Sequence, residues 1–410
     1  MINYKRLEKD FINLSKFSKT KKCGITRYSY TCEDLMAKQY LIDEMKKIGL
    51  SIEIDNVGNI RGRMEGIEKN LLPIISGSHI DSVRNGGQYD GVLGVLGALE
   101  VARTIKENNI KQKRNFDILI FSEEEGSNFG LNLIGSKNII KRFKNKELKT
   151  IFSENAKSMY EMIKYSEEKL KIEHSSEFYK AGFDTMVELH IEQGNFLEKN
   201  DKQIGIVEGI FGLRWFKVTI EGEANHAGAT PMKFRKDPLV EASKIIYEIP
   251  NIVCDIDKIN FVATVGQLSV IPNNINVIPD KVDFIIDVRS IDIKNIDTFY
   301  RELLLKIDKL NDRRYKAKVE ELTRTDAKLF NKEVIDLLSK VAKTEKINYL
   351  KMYSGANHDT SVMSEIGKGI MIFVPSINGR SHCPEEETKK SDVEAGVNFL
   401  YKTLITLINK

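Results

Sequence analysis

LLPIISGSHIDSVRNGGQYDGVLGVLGALEVARTIKEN, residues 71–108, passes from an apolar run through a glycine-rich loop carrying His79, Asp81 and Asp90 into a helix-like repeat. An apolar strand followed by a helix is half of a βαβ unit, and in parallel sheets the chemistry collects at the strand ends. The next apolar run, FDILIFSEEEG (116–126), repeats the arrangement and ends in three acids. We read a mixed, mainly parallel sheet in an α/β domain.

Outward from this stretch, amphipathic helix patterns at about 4–18 and 32–48 lead into short strands in SIEIDNVGNIRGRM and LLPIISGSH. Residues 141–180 are charged and broken, as a helical surface excursion would be. From 209 the character changes. RWFKVTIEG is a strand, DPLVEASKIIYEI a helix, FVATVGQLSVI and KVDFIIDVRSI strands, NIDTFYRELLLKIDKLN a helix and YKAKVEELT a strand. That β-α-β-β-α-β order is the ferredoxin-like unit. Helix and strand patterns then resume in NKEVIDLLSKVAKTE, GIMIFVPS and a helix from about 390. The expected organisation is a catalytic α/β domain in two parts, 1–208 and 327–410, interrupted by an α+β insertion at 209–326.

Composition narrows the partners. The 410 residues carry 63 Lys+Arg against 59 Asp+Glu, interspersed, for a net charge of +4. There is no basic stripe with interleaved aromatics for nucleic acid. No apolar run approaches membrane-spanning length. The amphipathic start does not resemble a signal peptide, so a cytoplasmic protein is expected. Four scattered cysteines form no CxxC pair and indicate neither a disulfide framework nor a thiolate zinc site.

Five of the six histidines lie in short segments rich in Gly, Asp, Glu or Asn: His79, His190 (ELHIEQG), His226 (ANHAGATP), His358 (SGANHD) and His382 (GRSHCPEE). One such residue alone would read as a structural histidine, but five together with acids at strand ends point to metal. His79, Asp81, Asp90, Glu123, Glu124, Glu125, His190 and His382 supply enough donors for two divalent ions. Two such ions acidify a shared water, so hydrolysis is the expected chemistry, with a spare carboxylate from SEEEG as proton acceptor. Arg289 ends the apolar strand FIIDVR, where it either pairs with Asp287 or Asp283 or binds a substrate carboxylate through its planar fork. IPNNINVIP is a stiff loop presenting amides, and His226 can donate to a developing oxyanion.

In this order, GSHIDSVRNGGQYDGVLGVLGALE, FSEEEGSNFG, ELHIEQG, GEANHAGATPM, IPNNINVIP with DVRS, SGANHD and GRSHCPEE resemble the M20 metallopeptidase-like superfamily. The match is closest to its amidohydrolase branch of N-carbamoyl-L-amino-acid hydrolases, allantoate amidohydrolases and β-ureidopropionases, and runs from ITRYSYTCEDL onward. The resemblance implies a dinuclear site in which Asp90 bridges two ions, zinc or manganese with cobalt or nickel as alternatives. His79 and His190 complete one position, Glu125 and His382 the other. Glu124 is the implied general base and acid, and Asp81 orients His79. Gln193, His226, Asn276, Arg289 and Gly355 match substrate-binding positions, with Arg289 and Asn276 on the substrate carboxylate. The implied insertion is both lid and homodimer interface. Gly91 is expected to tolerate an unusual peptide geometry after Asp90. The sequence departs from the branch at Asn357, where glycine is usual, and at Asn128, where arginine is common; both loops are expected to border the pocket. The implied reaction is cleavage of a carbamoyl group from a small carboxylic acid, releasing ammonia and carbon dioxide. The alternative is an M20-type aminoacylase or dipeptidase acting on N-acyl amino acids or peptides.

Overall fold

Strands with helices on both faces must be apolar along their whole length, because neither face meets water. Ile74–His79 and Phe116–Phe121 are buried at every position in the computed structural model, which describes residues 2–410 apart from 21, 22, 144, 154, 176 and 314. The chain divides into two compact units, Met1–Glu208 with Phe330–Met352 and Asn357–Lys410, and Gly209–Leu329 with Tyr353–Ala356. It is a mixed α/β fold with a mainly parallel central sheet.

Among the described residues that sheet has ten strands. Its centre is four parallel neighbours in the order Phe116–Phe121, Ile74–His79, Thr185–Ile191 and Lys368–Val374. Antiparallel strands flank them: Ile60–Met64 and then Ser51–Ile54 beyond Phe116–Phe121, and Ile204–Ile210 beyond Lys368–Val374. SIEIDNVGNIRGRM is therefore a hairpin, closed where Asp55 accepts N–H bonds from Val57 and Asn59 at 3.0 and 2.9 Å.

Helix Val92–Glu107 packs on one face of the parallel strands. A Cβ on its Gly94 would stand 2.6 Å from the Leu189 carbonyl oxygen, so the glycine lets helix and sheet touch. The opposite face is covered by a cluster in which Ile75, Leu119, Phe121 and Met186 meet Phe178, Tyr179, Phe183 and Met363. Side-chain alternation along each strand gives the two faces. Most of the 141–180 excursion lies among the described residues and includes helix Met159–Leu170, with a reciprocal Ser158–Glu161 cap.

The second unit holds a four-stranded antiparallel sheet in the order Phe261–Ile271, Lys281–Ser290, Gly212–Glu221 and Lys316–Thr325. Helices Pro238–Ile256 and Ile293–Asp312 pack on it. Phe216, Phe284, Ile286, Phe299 and Leu303 are central to its apolar core. DPLVEASKIIYEI reads as a helix ending before Pro250, but the helix continues to Ile256 with Pro250 exposed within it. Tyr353–Ala356 belongs to this unit although it follows it in sequence, because Phe211 N–H donates to Ser354 O (2.9 Å) and Arg289 Nη1 to Gly355 O (2.8 Å). No helix among the described residues is long and apolar enough to cross a membrane.

Candidate functional site

The carboxyl ends of the four central strands of the first unit converge. His79 is the last residue of its strand, Glu123, Glu124 and Glu125 follow Phe116–Phe121, and His190 is next to last in Thr185–Ile191. His382 lies beyond Lys368–Val374, and Asp90 precedes helix Val92–Glu107. Gly91, with φ of 67°, makes the turn between Asp90 and that helix. A Cβ at Gly91 would lie 2.5 Å from His79 Nε2, so a side chain is excluded here twice over, by backbone conformation and by the imidazole. Apart from this positive φ, which glycine adopts readily, the peptide after Asp90 shows no cis bond.

Asp90 stands at the centre. Its Oδ1 lies 3.4 Å from His79 Nε2 and 3.3 Å from His190 Nε2. Its Oδ2 lies 3.3 Å from His382 Nε2, which is 3.4 Å from Glu125 Oε1. The two oxygens of one carboxylate thus face two separate donor sets. Both buried imidazoles are fixed through Nδ1, His79 against Asp81 O at 3.0 Å and His190 against Ile191 O at 2.9 Å. A proton on Nδ1 leaves the Nε2 lone pairs facing Asp90, the arrangement a metal-binding histidine needs. Gln193 Nε2 donates to Asp90 Oδ2 at 2.8 Å while its Oε1 is buried without a partner.

Protonation follows from this crowding. Burial raises the Asp90 carboxyl, but hydrogen bonds from His190, His382 and His79 outweigh it and hold the group well below its usual range. Burial lowers the His79 imidazole, but Glu124, Asp90 and Asp81 outweigh it and hold it well above its usual value. His382 is pushed up to about 9, first by its bond to Asp90. Burial lifts Glu124 well above the carboxylate range, with His79 opposing and Glu125 adding to it, and lifts Glu125 to about 7. Three imidazoles and clustered carboxylates, mostly buried, therefore share protons where cations would serve the same electrostatic purpose. The sets His79, Asp90, His190 and Asp90, Glu125, His382 each bring three donor atoms within 4.8 Å of one another and can hold metal ions.

Two of the residues read as candidates stand differently. Glu123 is not brought to the donor sets: at φ of 54° it turns away, and its Oε1 accepts the N–H groups of Asn128 and Phe129 at 3.1 and 3.0 Å. The carboxylate of Asp81 is 3.7 Å from His79 Nδ1, so its backbone oxygen orients the ring. That carboxylate accepts the N–H groups of Glu124 and Glu125 at 3.4 and 3.2 Å, which fixes the acidic loop. Glu124 Oε2 lies 3.9 Å from His79 Nε2 and makes no closer pair.

Asn128 is buried, its amide donating to Ser29 O at 2.7 Å, and so faces inward rather than into a pocket. Asn357 accepts from the Ser361 hydroxyl at 2.6 Å. Three polar groups escaped notice as site components. His358 is buried with its ring edge-on to that of His190, centroids 4.5 Å apart. Glu188 accepts from Ser78 Oγ and Thr360 Oγ1, both at 2.6 Å. Glu386 accepts the N–H of Asp90 at 3.1 Å. His358 was visible as one of the clustered histidines; Glu386 sat unmarked in a run of three acids.

In the second unit, Arg289 spends Nε and Nη2 on Asp287 at 2.8 and 3.0 Å, and Nη1 on Gly355 O. Of five guanidinium N–H groups two remain for another acceptor. Asp283 binds Thr219 instead, at 2.6 Å. His226 and Asn276 are exposed and adjacent, Ala227 N–H donating to Asn276 O at 3.0 Å. His226 Nδ1 accepts from Gly228 and Ala229 N–H at 3.0 and 3.1 Å, which leaves Nε2 to carry the proton as a donor.

Comparison with known proteins follows the same lines. Residues 75–406 match the model of peptidase family M20/M25/M40. An N-carbamoyl-L-amino-acid amidohydrolase of Pseudomonas sp. (strain NS671) is 35% identical over 407 residues, 98% of each chain. An allantoate amidohydrolase of Bacillus subtilis (strain 168) is 34% identical over 401 residues, 97% of this chain and 96% of that one. Among solved structures, a hydantoinase/carbamoylase family amidase from Burkholderia multivorans superposes with a TM-score of 0.92 at 28% identity, covering 100% of this chain and 98% of its own.

Proposed function

This chain belongs to peptidase family M20/M25/M40, a family of hydrolases, and on that premise we propose that it is a dinuclear metal-dependent amidohydrolase. The bond cleaved is the carbamoyl or ureido C–N bond of a small carboxylate such as an N-carbamoyl-L-amino acid or allantoate. The observation that carries this reading is the double-faced carboxylate of Asp90, with one histidine pair on Oδ1 and Glu125 with His382 on Oδ2. The names of the relatives support the substrate class.

His79, His190 and Asp90 would hold one divalent ion and Asp90, Glu125 and His382 a second, zinc or manganese with cobalt and nickel as alternatives. When bound, the ions supply Lewis acidity toward the carbonyl and a water of lowered pKa. Glu124, outside both donor sets, takes the proton of the attacking water and passes it to the departing nitrogen; a carboxyl raised by burial suits both roles. His226 Nε2–H stabilises the oxyanion of the tetrahedral intermediate. Arg289, with two free N–H groups, and Asn276 are the residues for the substrate carboxylate, and Gly355 and Gln193 match further substrate-binding positions. Water adds to the carbamoyl carbon, the C–N bond breaks toward the amine, and the carbamate formed decomposes to ammonia and carbon dioxide.

The second unit is also the one suited to form a homodimer: its edge strand Phe261–Ile271 exposes Val262, Leu268 and Ile271, and such an edge is a ready template for a second copy. Sedimentation of a monomer would remove that part of the reading. The reaction is tested by ammonia release from the manganese-loaded protein on allantoate, N-carbamoyl-L-amino acids, N-carbamoyl-β-alanine and N-acetyl amino acids. Ammonia from one of the first three is expected. Free amino acid from the acetyl compounds without ammonia from the others would replace this reading with the aminoacylase or dipeptidase one.

A further inference from the structure

We propose that Glu386 and Ser381 are positioning residues that clamp Asp90 and set the affinity of one metal position, that of Glu125 and His382. The proposal rests on the dinuclear reading and goes beyond it. Glu386 is 5% exposed and its two oxygens are divided between two chain segments. Oε1 accepts the backbone N–H groups of Tyr89 and Asp90 at 3.0 and 3.1 Å. Oε2 lies 2.8 Å from Ser381 Oγ, whose single proton is shared between Glu386 and Asp90. Ser381 Oγ in turn lies 2.9 Å from Asp90 Oδ2. One buried carboxylate thus ties the loop carrying Asp90 to the loop carrying His382.

Space for the clamp is made at Gly87, where a Cβ would fall 2.1 Å from Glu386 Cδ. Any side chain at that position would have to displace the carboxylate. The turn that carries Glu386 is held by its own N–H bond to Cys383 O at 3.1 Å, and the Ser381–Glu386 contact closes the loop around His382. The chemistry is lopsided. Ser381 reaches only Oδ2, the oxygen that faces His382, whereas Oδ1 faces His79 and His190 with no contact from the clamp. Groups that orient a metal ligand typically change metal affinity by about 10–100-fold when removed. The loss here should fall on one of two sites.

The test is calorimetric titration of the metal-free protein with Mn²⁺, comparing the natural sequence with Ser381→Ala, Glu386→Ala and Glu386→Gln, each first checked for cooperative thermal unfolding. Two binding steps are expected for the natural sequence. Ser381→Ala should weaken one step by about 10–100-fold and leave the other unchanged, whereas Glu386→Ala, which also frees the Asp90 backbone, should weaken that step at least as much. Combining Ser381→Ala with His382→Ala should then cost no more than His382→Ala alone, identifying the weakened step. Glu386→Gln should largely restore binding, because a glutamine oxygen can accept the two backbone N–H groups while its NH2 donates to Ser381 Oγ. Should Glu386→Ala fail to fold, Ser381→Ala still decides the matter. Two steps unaltered in Ser381→Ala, or weakened equally, overturn the clamp alone. A single ion bound by the natural sequence overturns the dinuclear reading and the clamp with it.

Discussion

In the second unit, strand Lys281–Ser290 alternates buried Val282, Phe284, Ile286 and Val288 with half-buried Lys281, Asp283, Asp287 and Arg289, whereas Thr185–Ile191 in the first is buried at every position and includes Glu188 and His190. The first pattern keeps charge at the rim of an apolar core. The second takes charge inside, which costs free energy unless every such group is partnered. Glu188 is satisfied by Ser78 and Thr360, and His190 by Ile191 O and Asp90. A strand that bears this cost has been shaped by chemistry as well as by stability.

The contrast can be sharpened first at Glu124. Glu124→Gln should lower kcat by about 10²–10⁴-fold, the usual worth of a positioned proton carrier, while metal content by atomic absorption stays intact. The variant should also be at least as stable as the natural protein when metal-free. Because the folded-state pKa is raised, Glu124 favours folding at low pH and that contribution is lost as pH rises through its folded value. Retained turnover would end its assignment as the proton carrier. Turning to the apolar side, Phe284→Ala should destabilise the second unit by about 3–5 kcal/mol. The sole tryptophan, Trp215, lies in that unit and reports its urea unfolding by fluorescence. Metal uptake should survive; loss of metal without loss of stability would break the contrast.

The smallest effect concerns protons. With His382 raised to about 9, the metal-free protein carries a proton there at pH 7, and an ion can enter only by displacing it. Apparent affinity should therefore rise toward pH 9, by about tenfold per pH unit for each proton displaced. Binding heats should then differ between buffers of different ionisation enthalpy. Equal heats in all buffers would place His382 outside the ligand set.

The same contrast explains what could be read in advance. The alternation in KVDFIIDVRS and the helical repeat of NIDTFYRELLLKIDKLN announce the second unit, because one face of each element meets the core and the other does not. TMVELHI was harder to recognise as a central strand, since Glu188 and His190 interrupt its apolar run for reasons unrelated to packing. His79, Asp90, His190 and His382 stood out because histidines beside glycine and acid have few other uses. In SEEEG the residue types alone do not separate the three acids; only the family resemblance assigns Glu124 and Glu125 their roles. The three are chemically alike, and in the structure the positive φ at Glu123 separates the one that turns inward from the two beside the imidazoles. Glu386 was equally hidden, since burial alone distinguishes it from the exposed Glu385.

The sheet order has a consequence for how the molecule is made. Lys368–Val374, among the last strands to leave the ribosome, lies between Thr185–Ile191 and Ile204–Ile210, which were synthesised much earlier. Until it arrives the sheet has an open slot, and contacts so distant in sequence close late and slowly. His382 follows that strand, so a chain cut before it lacks one of the three donors that Asp90, Glu125 and His382 bring together.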